Sequence, residues 1–149
     1  MGSPGAAQVG TTLDAFERWY VAHESGNVGG LADALAEDVS VHSLFRPDSV
    51  AGREAAVAHF SRTTSTFTEL AMALVSSPAV TGDTVLAEVM FTGAFTGELT
   101  WGGRLHRGTG RRFAVPGVLA VHIRSGQVTS VRTLFDRDDW LRQAGVLTA

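Results

Sequence analysis

Residues 127–145 read QVTSVRTLFDRDDWLRQAG. In this segment a cluster of acidic residues lies between a strand pattern and a helix pattern. The first part is rich in β-branched residues, which predicts a strand over residues 128–135. Asp136, Asp138 and Asp139 follow, and residues 138–145 predict a short amphipathic helix. The acids at this junction either take part in chemistry or only begin the helix.

The chain ahead of this segment divides into a helical part and a strand-rich part. Apolar residues at helical spacing predict helices over residues 11–25, 30–37 and 52–66. Alternating patterns predict strands over residues 38–45, 71–76, 85–95 and 111–124. This order predicts an α+β fold: a cone-shaped α+β barrel with three N-terminal helices packed on a curved antiparallel sheet, enclosing an apolar cavity.

The composition is typical of one globular domain. With 149 residues, 44% hydrophobic and 18% charged, the chain can bury a core and is too apolar for disorder. We expect residues 1–10 to form a flexible tail and residues 11–149 to form a single domain. No apolar run approaches the roughly 18 residues of a membrane span, and the opening residues lack the pattern of a signal peptide. We therefore expect a cytoplasmic protein.

Composition and motifs exclude several kinds of chemistry. The chain has no cysteine, and all 12 basic residues are arginine, so a thiol nucleophile and a lysine Schiff base are excluded. The net charge of −3, without a basic stripe, argues against a nucleic-acid surface. Phosphate-loop, serine-hydrolase and zinc-protease motifs are absent, and the five histidines are too dispersed to indicate a metal. Carboxylates, imidazoles and hydroxyls around a cavity remain as possible acid and base groups.

Two carboxylates are the leading catalytic candidates. Asp136 either reaches the mouth of the cavity from the end of the last strand, or accepts backbone N–H groups at the start of the final helix. Glu88 lies in the apolar strand segment VLAEVMF. Its side chain faces either the cavity or a wet or interfacial side of the sheet.

The histidines have less specific interpretations. His42 and His122 alternate with apolar residues on predicted strands, so both point outward if their apolar neighbours point inward. His23 and His59 lie near the edges of helical stripes, where we expect satisfied or exposed side chains. The large aromatic residues, Trp19 and Phe60 among them, either fill the core or line a binding cavity.

The order of elements, together with GAFTGEL, GTGRRFAVPGVLAVHI, SGQVTSVRTLFD and WLRQAG, resembles the SnoaL-like polyketide cyclase family. That family belongs to the nuclear-transport-factor-2-like superfamily, which also contains ketosteroid isomerase and limonene epoxide hydrolase. The resemblance covers about residues 11–147. It implies a homodimer formed through the outer face of the sheet, a hydrophobic small-molecule substrate and no cofactor. Where family members carry a histidine in a Gly-Thr-His-Thr-Gly strand end, this chain has Phe95.

The resemblance also implies where a substrate would bind. The catalytic aspartate and histidine of the aldol-type cyclases align with Thr133 and Leu119, and the tyrosine and general base of the isomerase align with Trp19 and Ser43. None of these replacements can serve as the family's acid or imidazole does, so the implied pocket is unusually apolar. The expected substrate-binding residues are Trp19, Tyr20, Ser43, Phe60, Phe95, Leu119, Thr133 and Phe135.

The leading hypothesis is a cyclase-like tailoring enzyme of polyketide biosynthesis that promotes ring formation in a hydrophobic intermediate. Asp136 and Glu88 would be its acid–base pair, while Ser43 and Thr133 would orient polar substrate atoms. One alternative is epoxide opening, either by water or by an internal hydroxyl that forms a cyclic ether, and this needs two acids near each other. Another alternative is a domain that binds a small molecule or dimerises without catalysis.

Overall fold

A curved, mostly antiparallel sheet carries helices on its concave face. The computed structural model describes residues 6–42 and 48–147, with side chains from residue 10 onward. The helices of this described part are α1 (Ala6–Ser25), α2 (Val28–Ala34), α3 (Arg53–Thr66) and α4 (Arg137–Ala144). Its strands are β1 (Leu35–His42), β2 (Val50–Ala51), β3 (Phe67–Leu74), β4 (Ala79–Thr81), β5 (Thr84–Phe95), β6 (Glu98–Trp101), β7 (Arg104–Arg107), β8 (Arg112–Arg124) and β9 (Gln127–Phe135).

The main sheet has the strand order β2-β1-β9-β8-β5-β3, with β4 paired to β5. The α+β class and the helices on a curved sheet are therefore confirmed, while the sheet remains unclosed. One pairing differs from the expected antiparallel pattern, because β1 runs parallel to β9, with Val41 opposite Val131. A long segment, which contains α3 and the strands after it, connects β1 to β9. A connection of this length allows two strands to run in the same direction, whereas a short hairpin joins only antiparallel strands.

Several boundaries differ from the prediction. The second helix ends at Ala34 instead of residue 37, because Leu35 and Ala36 are buried in strand β1 and Leu35 pairs with Val128. Strand β3 begins at Phe67 instead of residue 71, directly after α3, where Phe67 pairs with Phe95. Residues 1–5 of the expected N-terminal tail lie outside the described residues, and α1 begins at Ala6.

A small hairpin, β6–β7, lies between β5 and β8 along the chain. Its turn contains Gly102 and Gly103, with φ of +59° and +74°. Glycine adopts positive φ at little steric cost, which is why a two-residue turn of this kind favours it.

Two apolar clusters fill the interior. The larger cluster lies between the concave face of the sheet and helices α1, α2 and α3, and includes Phe16, Val89 and Leu119. The smaller cluster packs α4 against the other end of the sheet through Phe67, Trp140 and neighbouring side chains. None of the helices in the described part of the chain has the length and hydropathy that crossing a membrane requires.

Candidate functional site

A cavity of about 70 Å³ lies between helices α1 and α3 and the concave face of the sheet. Apolar side chains form most of its wall. The polar side chains on the described wall are His23, His59, Thr63 and Thr133. An engineered apolar cavity of roughly 150 Å³ holds benzene, so this cavity accepts a small group or one end of a larger molecule.

Aromatic rings define the shape of the cavity. Trp19 and Phe60 enter it from α1 and α3, and Phe91 lies on the sheet side. Trp19 and Phe91 are buried, and Phe60 is 8% exposed. Rings at these positions provide a rigid surface for a flat or hydrophobic ligand.

The structure places half of the expected substrate-binding residues on the cavity wall. These are Trp19, Phe60, Leu119 and Thr133. The Thr133 hydroxyl donates to the carbonyl oxygen of His42 at 3.0 Å, so its lone pairs remain able to accept from a ligand.

The other expected binding residues lie elsewhere. Tyr20 points away from the cavity wall, because its hydroxyl donates to the carbonyl oxygen of Met72 at 2.7 Å. Phe95 is fully buried in the smaller cluster, where it packs on Phe67, and it does not line this cavity. Phe135 stacks on Phe91 at 4.5 Å behind the wall. Ser43 lies outside the described residues.

Asp136 begins helix α4. Its carboxylate accepts the backbone N–H of Asp139 at 3.0 Å, which is the geometry of an N-cap. The side chain is exposed and does not line the cavity. Of the two interpretations left open by the sequence, capping therefore describes its position.

Glu88 is exposed on the outer face of β5. Its neighbours Ala87 and Val89 are buried on the opposite face, because side chains alternate along a strand. Glu88 and Asp136 are thus not brought together, and neither reaches the cavity. The expected acid–base pair does not form across this cavity.

The outward orientation expected for His42 is observed, since Val39 is buried and His42 is exposed. His122 is half-buried between buried Val121 and Ile123, and its Nδ1 lies 3.2 Å from the Thr84 hydroxyl. Neither histidine lines the cavity.

His23 and Glu24 form a polar pair at the cavity that the sequence interpretation missed. Nδ1 of His23 lies 3.0 Å from Oε2 of Glu24, and the two side chains are 24% and 22% exposed. The other carboxylate oxygen of Glu24 accepts the backbone N–H of Met72 at 2.7 Å. The sequence contains a signal for the position of His23, because this residue follows Trp19 by four residues and therefore lies on the same face of α1.

The imidazole of His23 packs against two aromatic rings. Its centroid lies 5.3 Å from that of Trp19 and 4.8 Å from that of Phe60. The ring is therefore positioned by a hydrogen bond at one edge and by contacts to rings of α1 and α3. His59, from α3, provides a second imidazole on the same wall, and its side chain is buried.

Tyr20 lies one helical turn before Glu24. Burial raises the pKa of its hydroxyl above the ordinary value, and the negative charge of Glu24 raises it further, while a backbone hydrogen bond at Leu74 acts in the opposite direction. Tyr20 is therefore a neutral donor that closes the space between α1 and β3.

The described residues do not provide an obvious metal site, since no three of their histidine, aspartate or glutamate side chains converge. The cavity wall offers hydroxyls and imidazoles, which are side chains that can hydrogen-bond to a ligand and can take part in proton transfer.

Comparison with known proteins adds information on the family and the fold. A family model described as a SnoaL-like domain matches residues 16–131. No match is found among curated proteins. A candidate SnoaL-like polyketide cyclase from Jannaschia sp. CCS1 has a similar structure, with a TM-score of 0.79 and 20% identity over 99% of this chain and 100% of that one.

Two further solved structures are similar. TsrD from Streptomyces laurentii gives a TM-score of 0.75 at 24% identity, over 97% of this chain and all of that one. A protein with a ketosteroid isomerase-like fold from Catenulispora acidiphila DSM 44928, in complex with trimethylamine, gives 0.71 at 21% identity, over 89% and 93% of the two chains. At these identities the likeness shows the fold alone.

Proposed function

The chain belongs to the SnoaL-like domain family, and from this premise we propose that it is a cyclase-like tailoring enzyme of polyketide biosynthesis. The substrate is a hydrophobic intermediate, and the cavity between α1, α3 and the sheet promotes ring formation at its reacting end. The observation that carries this proposal is an apolar cavity whose described polar side chains are all hydroxyls or imidazoles.

The size of the cavity limits how a substrate binds. A space of about 70 Å³ is too small for an entire polycyclic product, so only the reacting end of the intermediate enters. Trp19, Phe60 and Phe91 surround that end and hold it in a bent conformation. Holding two reacting carbons near each other accelerates ring closure by removing the entropy of their encounter.

The proposed reaction needs no cofactor. Addition of an enolate carbon to a carbonyl carbon, followed by loss of water, requires only proton transfers. Epoxide opening is less well supported, since the described wall contains no carboxylate and that reaction favours two nearby acids. Location in the cytoplasm stays a prediction.

Filling the cavity tests the proposal. Ala56 of α3 is buried on the wall, whereas Ala58 is exposed on the same helix. We expect wild-type protein to accelerate cyclisation of a synthetic 3,5,7-trioxo ester, in which C2 adds to the carbonyl carbon C7 and water is lost, and the absorbance of the aromatic product follows the reaction. Ala56→Trp should remove this acceleration, and Ala58→Trp, the matched control, should retain it. Binding of the ester without acceleration by the wild type would support the non-catalytic alternative instead.

We also propose that the protein forms a homodimer through the outer face of the sheet. Leu86 and Leu134 are 41% and 52% exposed there. Exposed Glu88 and Arg132 lie on the same face. In a two-fold arrangement each acid can meet the partner's arginine while the leucines pack together, because such an interface must be self-complementary.

A further inference from the structure

The pair formed by His23 and Glu24 is fixed more tightly than its place near a helix end requires. One oxygen of Glu24 accepts from Met72 on β3, which leaves the other oxygen for Nδ1 of His23. Trp19 and Phe60 each contact the imidazole in a tilted arrangement. Three elements, α1, α3 and β3, therefore determine how this ring is oriented at the cavity wall.

The hydrogen bond also determines which ring nitrogen can act as a base. A carboxylate only accepts hydrogen bonds, so Nδ1 must carry the hydrogen when it bonds Glu24. In the neutral ring, Nε2 then holds the lone pair. Because His23 lines the cavity and Nδ1 is occupied, Nε2 is the atom available to a ligand.

We propose that His23 is the general base of this cavity and that Glu24 is its positioning residue, an assignment that rests on the proposed function of the same cavity. Nε2 removes a proton from a carbon next to a carbonyl group. The C–H electron pair forms the enolate double bond, and the carbonyl π pair moves to oxygen. The enolate carbon then bonds to a second carbonyl carbon, and the imidazolium returns its proton to the new alkoxide.

Two charges form in this step, one on the imidazolium of His23 and one on the enolate. The imidazolium that forms after proton removal lies 3.0 Å from the Glu24 carboxylate, which stabilises it without taking the proton. No arginine lines the described wall, and the chain has no lysine, so no side-chain cation of that wall neutralises the enolate, and a substrate that spreads this charge itself is favoured. The suitable substrates are ketones whose acidic carbon lies between the carbonyl and a second carbonyl or an aromatic ring.

A deuterium-exchange experiment tests this step. The probe is 2-indanone, a small ketone whose acidic carbons lie between the carbonyl and a benzene ring, and its exchange in D₂O is followed by NMR. We expect the wild type to accelerate exchange and His23→Gln to lower the rate about 100-fold, since general bases contribute roughly 10²–10⁴-fold. His106→Gln, on the β6–β7 hairpin, is the matched control and should exchange like the wild type.

Glu24→Gln separates positioning from folding. Its amide oxygen can still accept from Met72, while its NH₂ group can only donate to Nδ1. The hydrogen of His23 should therefore move to Nε2, and exchange should fall together with that change. The ¹⁵N chemical shifts of the ring report the tautomer directly. In the wild type they should show hydrogen on Nδ1, and the opposite tautomer would overturn the proposal whether or not any variant folds.

Binding of the probe distinguishes a failure of the His23 assignment from a failure of the proposed cavity function. The indole signal of Trp19 reports whether the ketone end of 2-indanone enters the cavity. If the probe binds and His23→Gln exchanges it as fast as the wild type, the assignment of His23 is wrong while the proposed cavity function stands. If the wild type neither binds nor exchanges the probe, both fail.

Discussion

At the scale of single residues, Tyr20 shows how burial and a neighbouring charge act on one group. It is the only tyrosine in a chain without cysteine or lysine, so few other side chains titrate between pH 9 and 12. Its folded pKa is raised, first by burial and then by Glu24. The absorbance of tyrosinate therefore reports this one side chain.

We expect the free energy of unfolding to fall as pH rises from about 10, the ordinary tyrosine pKa, through the higher folded value. In that window the unfolded phenol has lost its proton and the folded one retains it, so the unfolded state is favoured. Tyr20→Phe should remove this alkaline loss, which denaturant unfolding at pH 8 and pH 11 would measure. An absorbance titration midpoint at or below 10 in the folded protein would contradict the argument.

The sequence indicated some of the residues at the cavity and not others. The sequence left Trp19 open between the core and a cavity wall, the resemblance favoured the wall, and the structure puts its ring at the cavity. The sequence could indicate that His23 shares a face of α1 with Trp19, but not that Glu24 is fixed beside it, because Met72, which donates to Glu24, lies 48 residues further on and meets it only in the folded chain. The alternation around Glu88 likewise predicted two faces without saying which one is buried.

At the scale of elements, α4 is a short helix that depends on its ends and on its contacts with the sheet. Asp136 caps its first turn, and Gly145 ends it in the left-handed conformation, with φ of +83°. The Gln143 side chain exchanges two hydrogen bonds with the backbone of Ala114 on β8. Buried Trp140 and Leu141 attach the helix to the smaller cluster.

Replacing Asp136 by alanine should lower the free energy of unfolding by about 1 kcal/mol, the usual contribution of an N-cap. Asp136→Asn should leave stability nearly unchanged, because the amide oxygen can still accept the N–H of Asp139. Urea denaturation measures both variants. Cyclisation assays of the asparagine variant provide the complementary check, since a large loss of turnover in a stable protein would restore Asp136 as a catalytic candidate.

The element patterns predicted the helices and the long strands well, because their apolar periodicity reflects burial on one face. The predicted junctions between helices and strands were less accurate. Leu35 and Ala36 satisfy a helical stripe and a buried strand equally, and only their place beside β9 decides for the strand. Pairing between distant segments therefore settled what local preference left open.

At the scale of the whole molecule, the outer face of the sheet is the interface that we propose for a homodimer. We expect Leu134→Glu to convert the proposed dimer to monomer, because it places like charges into a face that must be self-complementary. Leu105→Glu is the matched control, since Leu105 is 58% exposed on the β6–β7 hairpin. Light scattering after size-exclusion chromatography gives both masses. A wild-type monomer at micromolar concentration would refute the dimer.

The parallel pairing of β1 with β9 has a consequence for protein synthesis. The Thr133 hydroxyl donates to the carbonyl oxygen of His42, which precedes it by 91 residues, so β1 has no β9 partner until residues 127–135 have been made. Such distant pairing slows folding, because a long segment must be ordered before the contact forms. On the ribosome, a nascent chain that stops before residue 127 would expose the edge of β1 to proteases and chaperones. Synthesis of residues 127–135 is therefore the step that allows this edge of β1 to be covered.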